Sequence, residues 1–193
     1  MRFSIPRPYQ AVVVLIIGAA PGALQAQGNR LGTVRFPNSG APAAQRPFIR
    51  GVLLLHSFEY PLAAAAFREA QQADPDFALA YWGEAMTWTH PVWNQQNVDS
   101  GRAVLWRLGP TPEARRAKAR TRREQDYLQA IETLYGEGSK ARRDTLYCAA
   151  MEQLSAAHPE DLEAEAFYAL ALLGLSQGTR NVPTYIRAGV LAE

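Results

Sequence analysis

The chain has 193 residues, 48% of them hydrophobic and 20% charged, a balance that fits an ordinary globular or repeat domain and excludes disorder as the main state. Its single cysteine, Cys148, excludes an internal disulfide framework and a cysteine-based zinc site. A formal charge of +2 is too small to mark a nucleic-acid binder.

In chain order, residues 1–26 read as an export signal. Arg2 and Arg7 precede an apolar run from Ala11 to Ala20, then Pro21 and Gly22 break the helix ahead of Leu24-Gln25-Ala26. The run is about half of the twenty or so residues that a helix needs to cross a bilayer, so no stable membrane span is expected after cleavage. Position 27 is Gln, so the thiol needed for a lipid-attached mature form is missing, and a periplasmic or secreted protein is expected. Removing the two signal arginines leaves 18 basic and 18 acidic residues. Residues 27–46, rich in Gly, Pro, Asn and Ser, read as a flexible linker, with a short edge strand at Gly32 to Phe36 as the alternative.

Residues 47–193 favour helix throughout. Alanine is abundant and loses no side-chain freedom when the backbone coils, and Phe48, Val52, Leu55 and Phe58 recur at helical intervals, as do Tyr81, Ala85 and Trp88. Breaks fall at Pro61, Asp74-Pro75-Asp76, His90 to Asn97, Gly109-Pro110, Gly136 to Gly138 and His158-Pro159. The expected fold is all-α, built of antiparallel helix hairpins.

One unit carries a specific spacing. Gly51, Ala63, Phe67, Ala70 and Pro75 stand as a small residue in the first helix followed by A-x3-F-x2-A-x4-P in the second. Small residues at 63 and 70 let helices approach closely, Phe67 fills the space between them, and Pro75 ends the hairpin. This unit resembles the tetratricopeptide (TPR) repeat, departing from it where Pro47 takes the place of a large aromatic. Pro110 follows Pro75 by 35 residues, close to the period of about 34, although the helix Val98 to Leu108 lacks the A-x3-F-x2-A set. Further hairpins can be drawn at Arg120–Tyr135 with Ser139–Ala157, and from Glu160 onward. With the stretches Leu54 to Tyr60 and Tyr81 to Met86, residues 45 to 193 are similar to exported bacterial TPR proteins of undefined biochemical role. The resemblance implies an α-solenoid that binds a protein or peptide partner without chemistry and needs no cofactor. The pattern stops at Glu193 without a polar capping helix, so a longer protein is expected.

Among candidate sites, Trp82, Trp88, Trp93 and Trp106 crowd into one hairpin with Tyr81 and His90. They form either an aromatic binding surface, with Trp82, Trp88 and Trp93 as its contacts and Trp93 the most exposed, or the core of a large hairpin, the commoner use of such residues. His56, Glu59 and His90 are the rival: a metal or acid–base site in a ligand-binding protein or enzyme, set against ordinary helix-face residues. His158 reads as a cap or turn residue. The run Arg115, Arg116, Lys118, Arg120, Arg122 and Arg123 would cover a broad face of one helix, and with Glu113, Glu124 and Asp126 around it reads as solvated surface without the aromatics that nucleic acid needs. Gly136-x-Gly138-x-Lys140 lacks the spacing of a phosphate loop, and Cys148 reads as a buried mid-helix thiol.

Overall fold

A computed structural model describes residues 31–176 and 181–191. The protein is all-α. Its helices are α1 (Pro42–His56), α2 (Tyr60–Ala73), α3 (Ala78–Met86), α4 (Val98–Leu108), α5 (Pro112–Arg116), α6 (Arg122–Leu134), α7 (Lys140–Ala157), α8 (Leu162–Leu175) and α9 (Val182–Leu191). The only strands among the described residues, β1 (Thr89–His90) and β2 (Gln95–Gln96), pair antiparallel around a 3-10 turn at Pro91–Trp93. The export signal read over residues 1–26 lies outside the described residues.

Helix starts follow local chemistry. Proline occupies the first turn of α1 and α2, where its missing N–H has no intrahelical partner to lose. Asn97, Thr111, Ser139 and Asp161 each accept a hydrogen bond from a first-turn amide of α4, α5, α7 and α8. Thr121 and Glu124 form a reciprocal capping box on α6.

The helices α1 and α2 run antiparallel. The Ala41 amide at the start of α1 meets Asp74 at the end of α2, while Gly51 faces Phe67 in mid-helix. Phe67 is fully buried in the angle of three helices, and a Cβ at Gly51 would come within 2.7 Å of its ring. Gly83 on α3 lies closer still, so glycine on both sides is what allows the ring to enter. Ala63 and Ala70 are buried on either side of Phe67, and Pro75 is exposed in the turn that follows, its carbonyl accepting the Tyr81 hydroxyl at 3.1 Å.

Every residue of α3 is buried, making it the central helix. Its one charge, Glu84, is 2% exposed and fully engaged: Arg68 Nε at 2.8 Å, Gln71 Nε2 at 2.7 Å, and the Arg107 guanidinium. A carboxylate so placed is tolerable only because each oxygen has a donor.

Three expectations change. Helix α1 begins at Pro42, inside the stretch read as linker, because proline is favoured at a helix start. Residues 31–41 are irregular, with no strand at 32–36, yet they are packed: Phe36 is 3% exposed among core aromatics. The basic run does not form one helical face, since Thr121 caps a new helix in its middle. Its members are also paired, Arg115 with Glu132, Lys118 with Asp76, Arg122 with Asp126 and Arg123 with Asp161. Contacts also reach beyond sequential neighbours. Trp82 of α3 meets Phe167 of α8 edge-on at 5.2 Å, and His56 of α1 meets Glu163 of α8 at 2.5 Å, so the first and fourth hairpins touch across 107 positions.

Candidate functional site

The short linkage between α1 and α2 is built by the local chain. Glu59 N–H bonds Leu54 O and Phe58 N–H bonds Leu55 O, the paired arrangement that ends a helix with a left-handed residue, a place normally held by glycine. Here that residue is Phe58, at φ 59°. A bulky side chain there costs on the order of 1–2 kcal/mol of backbone strain. The cost holds an aromatic ring outward: Phe58 is 45% exposed and stands edge-on to Trp93 at 5.3 Å.

Trp93 comes from the 3-10 turn between β1 and β2 and is 52% exposed. Tyr60 lies within 6.4 Å of its ring and stacks on His90 at 3.8 Å, and burial holds the Tyr60 phenol above its ordinary value. The His90 ring is fixed by Thr87 O, 3.1 Å from Nε2. Phe58, Tyr60, His90 and Trp93 therefore make a continuous aromatic lip.

Behind this lip, α1, α3, α8 and α9 enclose a cavity of about 400 Å³. Its walls are mainly apolar, from Leu55, Met86, Phe167, Leu170, Leu173 and Ala188, and its polar edge is made by His56, Thr89 and Tyr185. His56 stacks on Phe167 with ring centroids 5.2 Å apart, so the His56–Glu163 pair sets one corner. Such a shape accepts an apolar group and offers a few hydrogen-bonding atoms at its edge.

The sequence candidates separate clearly here. Trp82 is fully buried, 5.1 Å from Tyr127 and 5.2 Å from Phe167, so its ring holds the centre of the molecule and is closed to any ligand. Trp88 is half-buried against the core, and its carbonyl accepts the Asn97 amide that closes the β1–β2 loop. Only Trp93 of these three is exposed, and it meets Phe58 and Tyr60 at the mouth without lining the cavity itself, while Trp106 is exposed on α4, away from it. His56, Glu59 and His90 are not assembled: His56 pairs with Glu163, His90 stacks on Tyr60, and Glu59 is exposed at the start of α2. Among the described residues no group of three or more His, Cys, Asp or Glu could hold a metal ion. His158 bonds Asp126 at 3.2 Å and ends α7. Cys148 is buried, and desolvation pushes its thiol up to about 11, which suits an inert core residue and not a nucleophile.

Sequence reasoning missed Phe58, Tyr60, Glu163 and Tyr185. The Leu-His-Ser-Phe-Glu run held one usable signal: a helix that must stop with no glycine to stop it. Among the described residues no helix is long and apolar enough to cross a membrane. No protein-family model, curated protein or solved structure matches the chain.

Proposed function

We propose that the chain is an exported, TPR-like helical scaffold that binds a protein or peptide partner without catalysing a reaction. An apolar side chain of the partner enters the cavity between α1, α3, α8 and α9, and the lip of Phe58, Tyr60 and Trp93 closes over it. Phe58 carries this reading. A left-handed position that glycine fills at no steric cost is given to an exposed aromatic ring at the mouth of an apolar cavity, and strain kept in such a place points to use. The buried packing of Gly51, Ala63, Phe67 and Ala70 supports the repeat-like scaffold. Among the described residues His56, Glu59 and His90 do not form a metal-holding group, which favours this reading over a metal-dependent one.

A peptide library displayed on phage and selected against the whole chain tests the reading. Enriched peptides should share an apolar anchor residue. Their affinity should fall at least tenfold in Gly189→Phe and in Phe58→Gly, with helicity unchanged. Gly189 lines the cavity and a Cβ there meets nothing within 4 Å, so the new ring fills the space without disturbing α9. Absence of enrichment, or wild-type affinity in both variants, would remove the proposal.

A further inference from the structure

The aromatic face formed by α1, α3 and α6 is covered by residues 34–41 of the same chain. Residues 34–41 have no regular secondary structure, and their attachment is made in the manner by which a bound extended segment is held. Phe36 enters a socket whose walls are Phe48 at 5.3 Å, Trp82 at 5.5 Å and Tyr127 at 5.3 Å, with the Arg123 guanidinium 4.5 Å from the ring centre. Backbone groups do the rest. Arg123 Nη1 donates to Pro37 O at 2.7 Å, the Ser39 amide donates to Glu124 Oε1 at 2.6 Å, and the Ala41 amide donates to Asp74 Oδ2 at 2.8 Å. The Ser39 hydroxyl donates to Glu124 Oε2 at 2.8 Å, the one side-chain hydroxyl that is read.

The receiving groups are fixed by bonds that do not involve the segment. Glu124 also accepts the amides of Arg120 and Thr121 in the capping box of α6. Arg123 is tied to Asp161 at 2.6 Å, and Asp161 takes the Tyr127 hydroxyl at 3.0 Å while capping α8. Glu124 and Arg123 are thus held in place by α6 and α8 as well as by the segment, and preformed donors and acceptors are what make a peptide site bind at low cost in ordering.

We propose that this inner face is a binding site for an extended segment of aromatic-Pro-x-Ser chemistry, occupied in cis by residues 34–41 and exchangeable for the same kind of segment from a partner. The site is separate from the cavity at α8 and α9 and stands or falls independently of it. The bonds across the face match backbone groups common to any peptide, so selectivity comes from the socket for one aromatic ring, from the proline that removes an N–H next to it, and from the serine pair with Glu124.

The test uses the whole chain and a fluorescent peptide with the sequence of residues 34–41. Phe36→Ala weakens the internal occupant, so this variant should bind the peptide at least tenfold more tightly than the wild type. Adding Glu124→Gln, which can still serve the capping box, should reduce that binding at least tenfold, and a peptide with alanine for phenylalanine should not bind. Equal binding to wild type and Phe36→Ala, or binding by neither, overturns the proposal. Hydrogen exchange on the wild-type chain gives a reading that does not depend on how the variant folds. The Ser39 and Ala41 amides should exchange at least tenfold faster than mid-helix amides of α3 and α6. Exchange at the same rate would make the segment an inseparable part of the core and overturn the idea.

Discussion

The region around Phe67 and the region around α9 are made from the same kind of helix and end up in opposite states. Around Phe67, two glycines and two alanines on three helices leave a space of the ring's own size, and the side chain is sealed. On α9 only Ala188 is buried, while Val182, Ile186 and Val190, at successive helical turns, remain in water, with Ile186 62% exposed. An apolar stripe is thus a capacity for burial, and what realises it is a neighbour with complementary small residues.

That contrast can be broken by experiment. Phe67→Ala is expected to lower the unfolding free energy by about 3–5 kcal/mol in urea denaturation, the cost of emptying a packed core site. Cys148 tests how firmly the α9 end is held, because Arg187 of α9 is tied to Glu152 of α7 at 2.5 Å near the thiol. With the thiol raised from 9.0 to about 11, its reactive thiolate is scarcer at pH 8 by about 100-fold, so iodoacetamide should alkylate the folded chain about 100-fold more slowly than the urea-unfolded chain. Arg187 favours the thiolate, so Arg187→Ala should slow alkylation further, and a folded rate equal to the unfolded one would mean that burial does not hold the thiol up. Gly83→Ala sets a methyl group against the Phe67 ring and should cost about 1–3 kcal/mol, part of it recovered by adding Phe67→Leu. Ile186→Ala should change stability by less than about 0.5 kcal/mol. A loss at Ile186 as large as that at Phe67 would erase the distinction between the two regions.

The sequence made the helices and their breaks legible because alanine content, apolar period and turn residues act locally. The spacing of Gly51, Ala63, Phe67 and Ala70 even located a tight helix approach. Gly83, which completes the seat of Phe67, belongs to the next helix and was not connected with it. The candidate site was far less legible. Trp93 stood out because a loop of Asn and Gln surrounds it, but Trp82, equally conspicuous, is core. Phe36 lies in a stretch with no period at all, and its partners Trp82 and Tyr127 are far along the chain. The basic run read as one helix because charge spacing ignores the capping power of a single threonine. His56 and Glu163 meet only after two hairpins have been laid between them, a relation that no local pattern encodes.

The bond between Ser39 and Glu124 spans 85 positions, and this separation orders events in time. A chain made from its N-terminus presents Phe36 long before α6 exists, so the ring has no finished seat during much of synthesis. Hairpins with close sequence partners can form first, and closing so long a loop is slow by comparison. An early-synthesised part of the described fold is thereby among the last to be secured, and until then its phenyl ring is open to chaperones or to neighbouring chains.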